Sequence, residues 1–267
     1  MGVSRGEIDA WARWLRAAGR PESTIGLRTY HVRRVMTEIV TDPWSLTTEQ
    51  LVDYLSAQGW AAETRRAYRA SLRSFYAWAQ ATGRRVDSPA HLLPTVKVPR
   101  RVPRPTPELF YQQAVMAGDQ RQRLMIHLAA VCGLRRGEIA QVSREDVQPD
   151  MVGHSLRVLG KGGHERMVPL PRLLAVELLE APAGWLFPSP AGGHLTPHHV
   201  GKLVSRCLPE GWTTHTLRHR CATVAYRHAR DLRAVQELLG HAKPETTALY
   251  TQVPKDAIRE AVMAAAV

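Results

Sequence analysis

Apolar residues recur at helical spacing through the first 80 or so positions. Ile8, Trp11, Trp14 and Leu15 fall on one face of a helix over residues 3–18. A second helix is expected to run to about residue 40, with Ser23 or Thr24 as its cap. Thr47 or Thr48 caps a third, to about residue 58, and residues 61–81 form a fourth. The fourth carries Tyr68, Leu72, Phe75 and Tyr76 as its apolar stripe. Arg65, Arg69 and Arg73 make a neighbouring stripe at i, i+4 and i+8, with Arg66 beside it. Such a stripe fits a face docked on phosphates, and equally an ordinary solvated face.

The pattern breaks at residue 84. Six prolines between 89 and 107 are interleaved with Lys97, Arg100, Arg101 and Arg104. Proline at this density blocks helix and central strand and favours extended chain. The reading is a helical domain over 1–83, a basic proline-rich linker over 84–105, and a second domain over 106–267. In that domain helices are expected near 106–117, 119–132 and 135–141. Strands at 155–159 and 166–169 flank Gly160-Lys161-Gly162-Gly163, which reads as a hairpin loop. Helices resume near 171–179, 196–207, 215–228, 231–239, 244–251 and 255–265. The fold class is mainly α with a small β-sheet in the C-terminal domain.

Composition narrows the partner. Lys+Arg number 36 against 24 Asp+Glu, a formal net charge of +12. This excess favours a polyanion. Arginine outnumbers lysine, and its planar fork suits phosphate. Three widely spaced cysteines, Cys132, Cys207 and Cys221, do not form a disulfide framework or zinc-knuckle spacing. No run of ~18 apolar residues predicts a membrane span, and the N-terminus lacks a secretion-signal core. A cytoplasmic, nucleoid-associated protein is expected.

The chemistry-bearing residues cluster late in the chain. His215-Thr216-Leu217-Arg218-His219 is followed by Leu239-Gly240-His241 and then Tyr250. Gly133-Leu134-Arg135 with Glu138, and the hairpin lysine Lys161, stand upstream. The set supplies arginines for a phosphate, a lysine and imidazoles for protons, and a phenol for attack. His215 and His219 could share a metal on one helical face, but Thr216 stands where the zinc-protease pattern needs Glu. The Gly-Lys-Gly hairpin lacks the order of a nucleotide-binding P-loop. No metal and no cofactor are expected.

Taken in order, Gly-Leu-Arg135-x-x-Glu138, Gly-Lys161-Gly with Arg-x-Val-Pro-Leu after it, His215-x-Leu-Arg218-His219, Leu-Gly-His241 and Tyr250 resemble the tyrosine recombinases, or phage integrases. Within that family the chain is similar to short mycobacteriophage integrases. The resemblance implies a four-helix core-binding domain and an α+β catalytic domain with a tail helix. It implies that Arg135 and Arg218 clamp the scissile phosphate and that Tyr250 forms a 3′-phosphotyrosyl link. It gives His215 the role of base, Lys161 that of acid on the 5′ oxygen, and His241 a hydrogen bond to the phosphate. Glu138 and His219 support the site. Arg65, Arg66, Arg69, Arg73, Lys97, Arg100, Arg101 and Arg104 become DNA contacts.

The implied partner is double-stranded DNA at core-type attachment sites, bound by a homotetramer on paired sites, with a possible directionality factor. The first helix begins near Met1, so no arm-site-binding domain is expected. A Xer-type or transposon recombinase, and a type IB topoisomerase, share this chemistry. A catalytically silent DNA-binding regulator on the same fold is the alternative from another class.

Overall fold

The computed structural model describes residues 5–39, 44–99, 102–160 and 163–240. Lys161, His241, Tyr250, Arg100, Arg101 and the helices expected at 244–251 and 255–265 lie outside the described residues. The chain divides into two compact units, residues 1–101 and 102–267.

The first unit holds α1 (Arg5–Ala17), α2 (Glu22–Ile39), α3 (Thr48–Ala57) and α4 (Ala62–Ala81). Tyr68, Leu72, Phe75 and Tyr76 on α4 are all buried. Trp11 meets Phe75 edge-on at 5.3 Å, which joins α1 to this stripe. Trp14 does not join it and is 45% exposed, because Ile8, Trp11 and Leu15 already fill the inward face. Thr47 caps α3, and its hydroxyl accepts from the Gln50 amide. Neither Ser23 nor Thr24 caps α2. The helix starts at Glu22, and the Pro21 carbonyl accepts from Thr24 and Ile25.

The basic stripe on α4 is partly consumed by the fold. Arg69 donates through Nε and Nη2 to the Leu93 carbonyl at 3.0 and 2.9 Å. Arg65 donates to the carbonyls of Gln58 and Trp60. Arg66 is exposed and Arg73 half-buried. The first part of the proline-rich stretch is packed rather than extended over solvent. Ala90 and Leu93 are buried in the helical core, and Thr48 Oγ1 donates to the Pro89 carbonyl.

The second unit is built on α6 (Gln120–Ala130), where Leu124 to Ala130 are buried apart from half-buried His127. Around it lie α5 (Glu108–Ala117), α7 (Arg136–Ala140), α8 (Arg172–Glu180), α9 (Pro197–Ser205), α10 (Thr214–Ala229) and α11 (Leu232–Leu239). The sheet is antiparallel in the order β1 (Val147–Pro149), β2 (His154–Leu159), β3 (Glu165–Pro169). Its third strand, β1, is too short to show periodicity in sequence. Pairing of Val147 with Leu156, and of Leu156 with Val168, turns one face into the core. Cys132 and Cys221 are buried, and burial pushes the Cys221 thiol up to about 11.

Candidate active site

The chain leaves α6 through Gly133, with φ of +66°. A Cβ there would lie 2.7 Å from Leu239 Cδ2 and 3.1 Å from Cys221 Sγ, so only glycine fits. This tight passage delivers Leu134 to the core and Arg135 to the start of α7. Glu138, one turn along, accepts the Arg135 backbone N–H at 2.8 Å and Arg135 Nη1 at 2.6 Å.

Glu138 is 7% exposed and gathers three arginines. Arg166 from β3 donates to both of its oxygens, at 3.2 and 2.8 Å. Arg218 Nη1 lies 3.7 Å from Oε2. Burial by itself would raise the Glu138 carboxyl. The hydrogen bond from Arg166, the Arg135 amide and the two guanidinium charges outweigh it and hold the group below its ordinary value. Three guanidiniums against one carboxylate leave the cluster cationic.

The C-terminal end of α11 completes this framework. Its last carbonyls have no helical partner. Leu238 accepts from Arg166 Nε at 3.0 Å, Leu239 from Arg218 Nη2 at 2.7 Å, and Gly240 from Arg135 Nη2 at 3.4 Å. The negative end of the helix dipole faces the same cations. Gly240 has φ of +60°, and a Cβ there would come within 3.0 Å of the Arg166 side chain. The Leu-Gly pair before His241 is thus explained by the arginines it must fit.

Arg218 is 2% exposed, and its Nη1 also donates to the Gly133 carbonyl. Carbonyls from two separate elements therefore fix its fork. Arg135, by contrast, leaves 39% of its side chain open. Both line a cleft of about 820 Å³ with Arg136, His198, Lys202 and His215. No carboxylate among the described residues lines it. The first turn of α10 opens into it, and N-terminal amides favour an anion. Thr214, 3% exposed, also lines the cleft, and its Oγ1 has no hydrogen-bond partner among the described residues.

Behind His215 stands His219. The two Nε2 atoms are 3.0 Å apart, and His219 Nδ1 accepts the backbone N–H of Arg104 at 3.1 Å. Burial, then the charges of His215 and Arg218, pull His219 down to about 4. The Arg104 guanidinium lies over the Trp212 ring at 4.1 Å. Among the described residues no group of three or more His, Cys, Asp or Glu is arranged to hold a metal.

The structure thus brings Arg135, Glu138, His215, Arg218 and His219 together. Gly160, at the base of the hairpin that carries Lys161, hydrogen-bonds to the His164 carbonyl, and a Cβ there would stand 3.8 Å from Glu138 Oε1. Arg65, Arg66, Arg69, Arg73 and Lys97 belong to the other unit. Sequence reasoning missed Arg166, although it sits in the quoted Arg-x-Val-Pro-Leu run. It also passed over His198 and Lys202, whose spacing carries no motif, and set Arg136 aside because the family pattern places the functional arginine directly after Gly-Leu.

The phage integrase family signature matches residues 108–256. Tyrosine recombinase XerC of Rhodospirillum centenum is 32% identical over 92% of this chain and 82% of its own length. Two solved structures are also similar. The integrase from mycobacterium phage Brujita is 30% identical, covering 95% of this chain and 90% of that one, with a TM-score of 0.48. Lambda integrase (75–356), solved as a dimer bound to a COC′ core site, is 19% identical over 96% of this chain and 97% of that one. Its TM-score of 0.74 shows the shared fold. The chain belongs to the phage integrase family and is a tyrosine-type site-specific recombinase.

Proposed function

We propose that this recombinase is a phage integrase that joins and excises phage DNA at core-type attachment sites. The observation that carries the reading is the convergence of Arg135 and Arg218 on one cleft with no carboxylate among its described lining residues, with His215 at its wall. That cleft suits a phosphodiester. The two guanidiniums clamp its oxygens and stabilise the charge that grows as phosphorus becomes pentacoordinate. Tyr250 attacks, forming a 3′-phosphotyrosyl bond and releasing a 5′-hydroxyl. His215 handles the phenol proton, Lys161 protonates the leaving 5′ oxygen, and His241 donates to a phosphate oxygen. Glu138 and His219 hold these groups in place. The phosphotyrosyl bond conserves the energy of the broken strand, so rejoining to another 5′-hydroxyl needs no nucleotide.

Residues 1–83 are the core-binding domain and 106–267 the catalytic domain. Arg66, Arg73, Lys97, Arg100, Arg101 and Arg104 contact DNA backbone, while Arg65 and Arg69 contribute mainly through the fold. The working assembly is a homotetramer on two duplex sites in the host cytoplasm, with a directionality factor choosing between integration and excision. The Xer names of similar curated proteins favour a second reading, a Xer-type recombinase acting on host sites.

The test is a duplex nicked beside the crossover, so that the cleaved end diffuses away. Wild-type protein should accumulate a covalent adduct on a denaturing gel. Tyr250→Phe should bind the same duplex and give none. An adduct with Tyr250→Phe would move the nucleophile elsewhere. Pairing one phage-type site with a different host site, against two identical sites, separates the integrase reading from the Xer-type one.

A further inference from the structure

We propose that His219 is the positioning residue of His215, with its tautomer set by the backbone N–H of Arg104. The inference rests on the reading of His215 as a working group and goes beyond it.

Three ring nitrogens decide the tautomers. An amide N–H can only donate, so the 3.1 Å contact from Arg104 leaves His219 Nδ1 without a proton. Neutral His219 then carries its proton on Nε2. That atom is 3.0 Å from His215 Nε2. Two N–H groups cannot meet there, so His219 donates and His215 accepts. Neutral His215 therefore holds its own proton on Nδ1. In this state His215 offers the cleft only a donor, Nδ1–H, and it takes the phenol proton through Nε2 once the contact with His219 opens.

Two further features hold the arrangement. The extended segment entering this unit is pinned along the first turns of α10. Thr106 N–H donates to the Thr216 carbonyl at 3.0 Å, and Thr106 Oγ1 donates to Thr216 Oγ1 at 2.9 Å. Among the described residues the charged groups that act on His219 are His215 and Arg218 of its own helix, and both disfavour a second proton on it. From this segment it meets a backbone amide, while the Arg104 guanidinium lies over Trp212. A protonated His219 would point an N–H at the Arg104 N–H, so the ring stays neutral. The segment that opens this unit thus meets the back of the His215–His219 pair through the Arg104 amide. A shift of Arg104 is felt at His215.

Substitution at Arg104 isolates the amide. Arg104→Ala removes the guanidinium and keeps the N–H. Arg104→Pro removes both, and its neighbours Pro103 and Pro105 already favour extended backbone. Long-range proton–nitrogen spectra of ¹⁵N-histidine-labelled protein, without DNA, report which ring nitrogens carry protons. At pH 7 wild type and Arg104→Ala should show His219 protonated on Nε2 only and His215 on Nδ1. Arg104→Pro should show mixed His219 tautomers. Its adduct formation at saturating nicked duplex should be roughly tenfold slower than that of Arg104→Ala, by analogy with metal-bound histidines that lose an orienting partner. His219→Gln, which keeps an N–H donor, should retain more of the rate than His219→Leu. A wild-type His219 protonated on Nδ1 overturns the proposal. So do identical tautomers in the proline and alanine variants. The spectra are read without cleavage. A wild-type protein that shows these tautomers yet forms no adduct would sink the functional reading and leave the histidine geometry standing.

Discussion

Two sets of arginines, one at helical spacing on α4 and one scattered through the second unit, are used differently in the structure. On α4, Arg65 and Arg69 bend back to carbonyls of neighbouring segments. In the second unit, Arg135, Arg166 and Arg218 come from three distant segments and converge on Glu138 and the end of α11. The first set secures the fold locally. The second holds positive charge in fixed places, and two of its members, Arg135 and Arg218, line a cleft with no carboxylate among its described lining residues. Local density of charge is therefore a poor guide to a site. Convergence of like charges from far apart in the chain is a better one, because desolvation and repulsion oppose it unless something holds them.

The largest effect should come from removing that holder. Glu138→Gln leaves buried guanidiniums without their carboxylate, which costs about 3–5 kcal/mol. Adduct formation should drop by about 10² or more, as when one preorganised donor is lost. Urea unfolding and single-turnover cleavage of a nicked duplex check both numbers. Arg166→Leu should match the stability loss although Arg166 does not line the cleft. If Arg166→Leu is as stable as wild type, the three-arginine cluster is not the framework described above.

A smaller effect separates the α4 arginines from one another. Arg69→Ala loses two charge-assisted bonds to Leu93, worth about 1.5–3 kcal/mol, and should lower the unfolding free energy. Arg66→Ala should leave stability unchanged and reduce the slope of log K against log salt by about 0.9, one phosphate contact. Equal salt slopes in wild type and Arg66→Ala would remove this residue from the DNA surface.

A third effect is in pH. His219 is held near 4 in the fold against an ordinary 6.5. Between those values the unfolded chain binds the extra proton, so stability falls as pH drops from about 6.5 towards 4. The depressed Glu138 carboxyl acts in a lower window. Its stabilisation is present above about 4.5 and is lost as pH falls through its folded value. His219→Gln should flatten the first window and spare the second. His31 and His127 are also lowered, first by burial, so a residual slope remains in the variant. An unchanged slope between pH 6.5 and 4 would show that His219 is not held neutral.

Much of the helical order was legible in sequence because the apolar stripes are long and regular. Tyr68, Leu72, Phe75 and Tyr76 announce α4, and Thr47 announces α3. The candidate site was legible as ordered fragments, since Gly133 and Gly240 are dictated by positive φ and by tight contact. Arg166 was not, because its partners Glu138 and Leu238 lie 28 and 72 residues away and no local period encodes them. The first part of the linker was misjudged for a related reason. Proline content reports backbone extension, and it does not report that Ala90 and Leu93 find a core. The carbonyl partners of Arg65 and Arg69 are equally invisible to charge patterning.

The central claim is that the Arg135–Arg218 cleft presents a DNA phosphate to Tyr250. The most direct test is to trap the adduct on a nicked duplex, digest it with trypsin and nuclease, and identify the modified peptide by mass spectrometry. The account predicts a nucleotide on the peptide spanning residues 234–255, attached at Tyr250, and its loss in Arg218→Ala with DNA binding retained. A nucleotide on any other residue, or an undiminished adduct in Arg218→Ala, would contradict it.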